Sequence, residues 1–498
     1  MPRFGFAIDN RVCIGCHACT VACKSEHEVP LGVNRTWVKY VEKGEFPDTR
    51  RFFNVQRCNH CEDAPCVEIC PVTSLYQRPD GIVDFDNSRC IGCKACMQAC
   101  PYDAIHLDPA TQTASKCNYC THRVDAGYEP ACVVVCPVGA IVSGDLDDKE
   151  GKLAQLQSMQ RVQFPKTEKG TKPKLFYVGG DEAALDPIEA PPLSNYLWSG
   201  NDGRISLPLL RKAGEESEAE SRARRTYDAK AKPPPWGWMV SAYITTKAIA
   251  AGLPMIANIL YMLGRSKHVL PTSAFLISLL FLAATGLLLV GDLKQPRRFL
   301  WVLLRPQWKS WLVRGAYIIL IFSIALPIIW LVAIFGASRT TQLAFGWMGL
   351  LIAASVAGYT ALLLAQAKGR DYWQSPTLFV SMLADALIAG GAVATLIGLS
   401  PQSADSVLGI AVALSVSLVM LELLQRHPNR NAELASRLIT HGTFAPLFWG
   451  GAIAMGIVAP AVALLLKGPL WIIAVLLLAG VAIRNHLIVS APQRIPLS

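Results

Sequence analysis

Apolar residues are distributed unevenly along the chain, and the division falls near residue 236. The sequence before it is polar, whereas eight apolar stretches of about twenty residues or more follow it. Stretches of that length can cross a bilayer as helices. They cover residues 237–262, 272–291, 311–335, 343–365, 376–398, 405–425, 443–465 and 468–488. We therefore predict an all-α bundle of eight transmembrane helices, whose even number returns the C-terminus to the side of the N-terminal half.

Positive charges differ in number between the two sides of this predicted bundle. Eleven Lys or Arg residues lie on the side of the N-terminal half: Lys294, Arg297, Arg298, Arg305, Lys309, Lys368, Arg370, Arg426, Arg430, Arg437 and Arg494. Four lie on the far side: Arg265, Lys267, Arg339 and Lys467. Because cytoplasmic loops are enriched in Lys and Arg, we expect a cytoplasmic N-terminal half in an inner-membrane protein. The first residues, MPRFGFAIDN, contain no apolar signal-peptide segment, which agrees with this orientation.

The polar half contains all 16 cysteines of the 498-residue chain. Their tight clustering suits metal ligation better than disulfide cross-linking. The cysteines form four groups of four: Cys13, Cys16, Cys19 and Cys23; Cys58, Cys61, Cys66 and Cys70; Cys90, Cys93, Cys96 and Cys100; and Cys117, Cys120, Cys132 and Cys136. Proline follows the last cysteine in three of the four groups. The polar half is thus predicted to bind metal.

The spacing of these cysteines points to iron–sulfur clusters. The first and third groups read C-x2-C-x2-C-x3-C, which places three thiolates on one loop and the fourth on a short helix. Four groups of four thiolates account for every cysteine as a ligand of four [4Fe–4S] clusters. Structural zinc also takes four cysteines, but its sites usually use two separated C-x2-C pairs.

Residues 7–145, which carry these motifs, resemble the four-cluster electron-transfer subunits of the dimethyl sulfoxide reductase superfamily. The resemblance implies an α+β domain of two intertwined ferredoxin-like units. It also implies which cysteines share a cluster: Cys13, Cys16 and Cys19 with Cys136; Cys117, Cys120 and Cys132 with Cys23; Cys58, Cys61 and Cys66 with Cys100; and Cys90, Cys93 and Cys96 with Cys70. The sequence departs from the pattern once, since Lys24 rather than proline follows Cys23.

A second resemblance concerns the apolar half. The motif GDLKQPRRF at 291–299, the segment LRPQW at 304–308, the WGW at 236–238 and Lys247 are similar to the NrfD-type membrane subunit of polysulfide reductase. That resemblance covers nearly all of 236–490 and implies an eight-helix, quinone-reactive protein without haem. The whole chain then looks like a fusion of two subunits: a four-cluster domain (1–145), an extension with a solvated, charged linker at 211–232 (146–235), and a membrane domain (236–498).

Ionisable and hydroxyl side chains inside the predicted spans are candidates for a quinone site, because charges in the bilayer are costly. Lys247 and Asp385 lie about 15 Å into their spans at 1.5 Å per residue, so we expect them to form an ion pair. That pair could be purely structural or could relay protons to a quinone headgroup. The candidate residues for quinone binding and proton transfer are Tyr243, Lys247, Asp292, Asp385 and His486. For His486, a purely interfacial role is at least as plausible.

These features predict an electron-transfer and membrane-anchor subunit. It would pass electrons between a quinone pool, menaquinone or ubiquinone, and a separate molybdopterin-containing catalytic subunit, with sulfite or polysulfide as the guessed substrate class. A core subunit of a quinol-oxidising respiratory complex with cytochrome partners is the alternative. A transporter with a regulatory iron–sulfur domain and a nucleic-acid-binding role fit the pattern poorly. The opposite orientation stays open, because related periplasmic complexes export their cluster subunit with a signal-bearing partner.

Overall fold

The computed structural model describes residues 2–44, 47–190, 223–229 and 232–498. The chain divides into two compact units. Unit 1 is Met1–Pro235 together with two short segments, Ala367–Arg370 and Gln493–Ser498. Unit 2 is Trp236–Gln366 and Asp371–Pro492. The two segments that join unit 1 come from the connection between two membrane helices and from the end of the chain.

Unit 1 is built from short strands and short helices. Its strands are β1 (Phe4–Asp9), β2 (Thr36–Lys43), β3 (Arg50–Arg57), β4 (Leu75–Gln77), β5 (Val83–Phe85), β6 (Ile105–Leu107), β7 (Ala114–Lys116), β8 (Ile141–Asp145), β9 (Val162–Gln163), β10 (Leu175–Val178) and β11 (Arg224–Tyr227). Its helices are α1 (Ala18–Glu26), α2 (Pro65–Ile69), α3 (Ala95–Ala99), α4 (Thr121–Val124), α5 (Ala131–Val134), α6 (Lys152–Met159) and α7 (Glu182–Leu185). A 3₁₀ turn covers Thr167–Lys169.

The strands form two sheets and two hairpins. One sheet has the order β8-β1-β10-β9, in which β1 is parallel to β10 and antiparallel to β8. The second has the order β11-β2-β3, and β4-β5 and β6-β7 are separate hairpins. The pairing of β1 with β8 closes an outer subdomain around the first and last cysteine motifs, in which α1 packs against α5. The two hairpins and the α2–α3 contact form an inner subdomain around the middle motifs. Unit 1 is thus one α+β subdomain nested inside another.

The segment after β8 belongs to these sheets. Leu175–Val178 forms β10 beside β1, and its four side chains are fully buried. The prediction of a solvated linker over 211–232 is wrong for its described part, because Arg224–Tyr227 pairs with β2 as β11. Arg225 is buried there and bonded to Asp228 at 2.7 Å, so its charge is compensated within the fold. Residues 211–222 and 230–231 of the predicted linker lie outside the described residues.

Unit 2 contains eight helices long and apolar enough to cross a membrane, which confirms the predicted bundle. Membrane helices 1 to 8 are Trp238–Met262, Thr272–Gly291, Trp311–Ile334, Arg339–Gln366, Thr377–Leu396, Ala404–Leu424, Leu447–Leu465 and Leu470–Ser490. Helix 7 is π-helical over Leu447–Val458 and α-helical over Ala459–Leu465. The connections contain the helix Trp301–Leu304, the amphipathic helix Arg430–Thr440 and 3₁₀ turns at Pro296–Arg298, Asp371–Gln374, Pro401–Ser403 and Pro492–Arg494.

Membrane helix 1 lies at the centre of the bundle. It packs against helices 2, 4, 5 and 8, and 72% of its most apolar window is buried, against 28% for helix 2. Helices 1 and 5 approach closely at Gly252, where an added Cβ would lie 1.7 Å from the carbonyl oxygen of Ala386. Small residues permit this approach, as is usual between membrane helices. Polar residues on helix 1 are therefore enclosed by protein rather than lipid.

Candidate functional site

The sixteen cysteines of unit 1 surround four cavities, with four cysteines lining each. We name these cavities A to D. Cavity A is lined by Cys13, Cys16, Cys19 and Cys136; B by Cys23, Cys117, Cys120 and Cys132; C by Cys58, Cys61, Cys66 and Cys100; and D by Cys70, Cys90, Cys93 and Cys96. Every cavity combines three cysteines of one motif with the fourth of another, which is the grouping that the family resemblance implied. The nested fold accounts for it, because the packing of α1 on α5 and of α2 on α3 joins motifs that are distant in sequence.

Left-handed residues shape the loops that carry the cysteines. Gly15 and His17 precede α1 with φ of 69° and 62°, and Gly92 and Lys94 repeat this conformation before α3 with φ of 68° and 63°. A Cβ on Gly15 would lie 2.3 Å from the ring of Phe53. Such turns direct successive backbone N–H groups toward one concave surface, which suits negatively charged ligands.

The donor set and arrangement of the cavities fit a cluster better than a single ion. A zinc ion, about 2.3 Å from four sulfurs, would itself occupy the space between them. Among the described residues, no three His, Cys, Asp or Glu side chains are arranged to hold one metal ion. Four thiolates at each cavity match the ligands of a [4Fe–4S] cluster.

Burial makes these thiols dependent on a bound cation. Desolvation raises the pKa of Cys100 to about 11 and the pKa values of Cys93 and Cys120 to about 12. Without a positive partner the three thiols would stay protonated at neutral pH, whereas metal binding removes their protons. Metal binding in these cavities is therefore coupled to the deprotonation of the cysteines.

Cavity B has two side-chain donors on its sulfurs. His27 Nε2 lies 3.1 Å from Cys120 Sγ, and Arg57 Nη1 donates to Cys132 Sγ at 3.1 Å. Burial lowers the pKa of His27 to about 4, so His27 is neutral at pH 7 and only Arg57 brings a charge. Cavity D is different, because the backbone N–H groups of Gly92 and Ala114 donate to Cys90 Sγ, both at 3.4 Å.

Cavity A is the most accessible of the four. Cys16 is exposed, and Cys13 and Cys136 are partly exposed, whereas all the cysteines of cavities B and C are buried. Large apolar side chains are exposed around it, namely Val12, Ile14, Val134, Val135 and Val138. An apolar surface beside a redox cavity is typical of a protein-docking face.

The two short segments of unit 1 pack beside cavity C. Arg370 donates to Gln98 Oε1 at 2.9 Å and to the carbonyl of Ile495 at 2.7 Å. A Cβ on Gly369 would lie 2.5 Å from the Gln98 carbonyl and 2.8 Å from that of Cys100. The connection after membrane helix 4 and the end of the chain thus contact the peptide that carries a cysteine of cavity C.

In unit 2, Lys247 lies in an enclosed polar cluster on helices 1 and 4. Its side chain is 1% exposed, and Nζ donates to Thr360 Oγ1 at 2.5 Å and to the carbonyl of Ala357 at 3.1 Å. The same Nζ lies 4.4 Å from the centroid of the Tyr359 ring. Tyr243, one helical turn before Lys247, is buried and has Thr360, Tyr359 and Asp292 as interaction partners. The structure thus brings Tyr243, Lys247 and Asp292 into one region.

The predicted ion pair between Lys247 and Asp385 is wrong. Asp385 on helix 5 instead forms an ion pair with Arg484 on helix 8, and Asp385 is 2% exposed. Arg484 lies six residues before the end of helix 8 and Asp385 eight residues after the start of helix 5. At 1.5 Å per residue these positions lie at similar depths in antiparallel helices. The guanidinium balances the charge of Asp385, while Thr360, Ala357 and Tyr359 surround Lys247.

His486 of helix 8 contacts helix 1. Its Nδ1 lies 3.3 Å from Ser241 Oγ, and its Nε2 lies 3.4 Å from Ser490 Oγ. The preceding residue, Asn485, donates to Thr245 of helix 1 at 3.3 Å. Of the five predicted residues, Asp385 is thus paired with Arg484, whereas Lys247 lies among Thr360, Ala357 and Tyr359.

Sequence reasoning missed four polar residues of this bundle. Arg484 and Glu422 are ionisable residues inside predicted spans, so the rule that flagged Lys247 could have found them. Glu422 accepts a hydrogen bond from Tyr372 Oη at 2.6 Å and another from Gln425 at 3.0 Å. Thr360 and Tyr359 carry no charge, and only the packing of helix 4 against helix 1 reveals their role.

Cysteine-lined cavities in one unit and an eight-helix bundle in the other define an iron–sulfur membrane protein of electron transport. Comparison with known families agrees in both halves. Residues 49–146 match the 4Fe-4S dicluster domain, and residues 227–496, more than half of the sequence, match "Polysulphide reductase, NrfD". The chain therefore belongs to the NrfD family and carries an iron–sulfur domain fused to the membrane domain.

Individual relatives match the N-terminal part. A subunit of the tetrathionate reductase of Salmonella typhimurium is 44% identical over 190 residues, which is 37% of this chain and 76% of the relative. A subunit of the polysulfide reductase of Wolinella succinogenes is 41% identical over 189 residues, covering 37% of this chain and 98% of the relative. The thiosulfate reductase electron transfer subunit PhsB of Salmonella typhi is 46% identical over 145 residues, covering 28% and 76%. All three are similar to this chain in its cluster-bearing half.

Proposed function

We propose that the protein is the electron-transfer and membrane-anchor subunit of a reductase-type complex, carrying electrons between membrane quinone and a separate catalytic chain. The observation that carries this proposal is the set of four cavities in unit 1, each with a complete set of four cysteines. Four [4Fe–4S] clusters held there would form a one-electron wire. The names of the relatives support a role in a multisubunit reductase.

One end of the wire follows from accessibility. Cavity A, with its exposed Cys16 and apolar rim, suits transfer to another protein. Electrons would enter or leave the wire at A.

Quinone chemistry requires groups that handle two protons, because quinol gives up two electrons and two protons while each cluster accepts one electron. Lys247 with Thr360, and Tyr243 beside Asp292, are the buried polar groups that we assign to quinone binding and proton transfer. Lys247 can exchange a proton at Nζ, and the Thr360 hydroxyl holds that atom in place. Asp385 and His486 remain candidates in second place, because each is already engaged by Arg484 or Ser241.

The partner that best fits is a molybdopterin-containing catalytic chain acting on a sulfur compound. Tetrathionate, polysulfide and thiosulfate are the substrates in the names of the three relatives described above. We extend that class to this chain, with sulfite or polysulfide as the leading candidates. We further propose an inner-membrane location with unit 1 in the cytoplasm, on the loop-charge argument.

Purification of the native complex under anaerobic conditions tests this proposal. We expect about 16 iron atoms per chain, four for each cluster, and a co-purifying large subunit that contains molybdenum. Cytochromes in place of the molybdenum subunit would favour the respiratory-core alternative. About four zinc atoms and little iron would contradict the electron wire. A reporter fused after Ser498 tests the location, and a periplasmic signal from it would reverse the proposed orientation.

A further inference from the structure

Arg57 is a buried cation among the cysteines of two cavities. It ends β3, its side chain is 1% exposed, and its guanidinium carbon lies 4.8 Å from the centroid of the Phe6 ring. Nη1 donates to Cys132 Sγ of cavity B at 3.1 Å. Its electrostatic partners include Cys117 of cavity B and Cys19 of cavity A. The guanidinium is therefore positioned at B with A as its neighbour.

Among the residues that the structure describes, this charge has no acidic partner. Within the described parts of the chain, no carboxylate forms an ion pair with Arg57, and its Nε and Nη2 are buried without a hydrogen-bond partner. An unpaired buried charge is costly, because no counter-charge offsets the loss of its hydration. Arg225, a similarly buried arginine of unit 1, has Asp228 at 2.7 Å. Within the described residues, the negative group that Arg57 requires is thus one that an occupied cavity would supply.

We propose that Arg57 sets the reduction potential of the cluster in cavity B, holding it above the value that the same four cysteines would give without a buried cation. This inference rests on the proposed function, since it assumes clusters in the cavities. The cluster takes one electron from its neighbour in the wire, with quinol as the source, and becomes more negative by one unit. A fixed positive charge stabilises the more negative state, and hydrogen bonds to sulfur act in the same direction.

The charge acts unequally on the four sites. The hydrogen bond to Cys132 makes cavity B the main site, and Cys19 makes cavity A the second. Lys116, another buried cation, donates to the backbone carbonyl of Cys117 at 2.9 Å rather than to its sulfur. Arg57 would therefore raise the potential of the cluster in B more than it raises the potentials of the other three.

The test is a redox titration of the full-length protein in detergent, followed by electron paramagnetic resonance, with iron content measured on each sample. For Arg57→Gln we expect one of the four midpoint potentials to fall by at least ~59 mV. For a one-electron couple this shift is a tenfold decrease in the equilibrium constant for reduction. A second midpoint potential should fall by less. Arg57→Lys, which keeps the charge, should keep the potential nearer to that of the wild type. Arg225→Gln, the matched control, should leave all four unchanged.

The outcomes separate this inference from the proposed function. Four clusters in the wild type with an unchanged set of potentials in Arg57→Gln would overturn the role of Arg57 and leave the wire intact. Loss of a cluster in both Arg57→Gln and Arg57→Lys would also overturn it, because the side chain would then be needed for assembly. Loss only in Arg57→Gln, with four clusters in Arg57→Lys, supports the requirement for charge. Absence of four clusters in the wild type would contradict the proposed function itself.

Discussion

The two units of this protein position charged and metal-binding groups in different ways. In unit 1 the cysteines are set by short loops, each closed within a few residues by left-handed turns such as Gly15 and Gly92. In unit 2 two buried charged groups are each set by a partner on another helix, about a hundred residues away. Lys247 contacts Thr360, and Asp385 contacts Arg484. One unit is specified locally and the other by packing.

This difference affects how each unit tolerates change. A cysteine motif holds three ligands on one loop, so the loss of one thiol leaves the loop in place and removes the ligand. A buried ion pair between helices holds two elements together, and losing one member leaves an uncompensated charge. Substitutions in unit 1 should therefore change cofactor content, whereas substitutions in unit 2 should change stability or proton chemistry.

The largest effect is expected for Cys66→Ser, which removes one thiol of cavity C. The variant should contain about 12 iron atoms per chain instead of about 16, because one cluster of four is not assembled. Electron transfer from quinol to the catalytic partner should be abolished, since the wire would lack one of its four clusters. Iron analysis with a quinol assay checks both effects. Full iron content in this variant would show that Cys66 is not a ligand.

The ion pair of unit 2 should be the next most sensitive feature. Asp385→Asn leaves Arg484 buried without its counter-charge and should destabilise the membrane domain by ~3–5 kcal/mol. Replacing both residues, as Asp385→Leu with Arg484→Met, should recover much of that loss. Thermal unfolding in detergent measures the difference. Equal stability of the single and double variants would argue against a structural ion pair.

Lys247→Met should act on turnover rather than on assembly. A positioned proton-transfer group contributes roughly 10²–10⁴ in rate, so quinol turnover should fall at least about a hundredfold while iron content stays the same. Thr360→Val should give a smaller loss, because it removes only the hydroxyl that holds Nζ. Thr395→Val is the matched control, since the Thr395 hydroxyl bonds within its own helix. Wild-type turnover in Lys247→Met would place the proton route elsewhere.

Asp292→Asn should have the smallest effect of the four. The change keeps the size of the side chain and removes its proton-accepting charge at the end of membrane helix 2. We expect quinol turnover to fall at least roughly tenfold, below the usual contribution of a proton-transfer group, with clusters intact. Steady-state turnover with iron analysis checks this expectation. If both Asp292→Asn and Lys247→Met keep full activity, both residues are structural.

Features that depend on neighbouring residues could be predicted from the sequence, whereas contacts between distant residues could not. The eight spans follow from apolar length alone, and their bounds in the structure differ from the predicted ones by only a few residues. The prediction that Cys136 and Cys13 bind the same cluster came from a family resemblance, because no local pattern links cysteines so far apart in the sequence. The partner of Asp385 was predicted wrongly, since depth along a helix does not say which side chains face each other. The strand Arg224–Tyr227 was not predicted, because its surroundings are rich in charged residues and such segments usually remain solvated linkers.

Electron transfer from quinol to the clusters within this one protein is the central claim. The most direct measurement is the reduction of the purified, anaerobic protein with a quinol analogue, followed by cluster absorbance and electron paramagnetic resonance without any catalytic partner. We predict that quinol reduces the clusters of the wild type and that Lys247→Met, with the same iron content, is reduced at least about a hundredfold more slowly. A wild-type protein with about 16 iron atoms that dithionite reduces and quinol does not would contradict this claim.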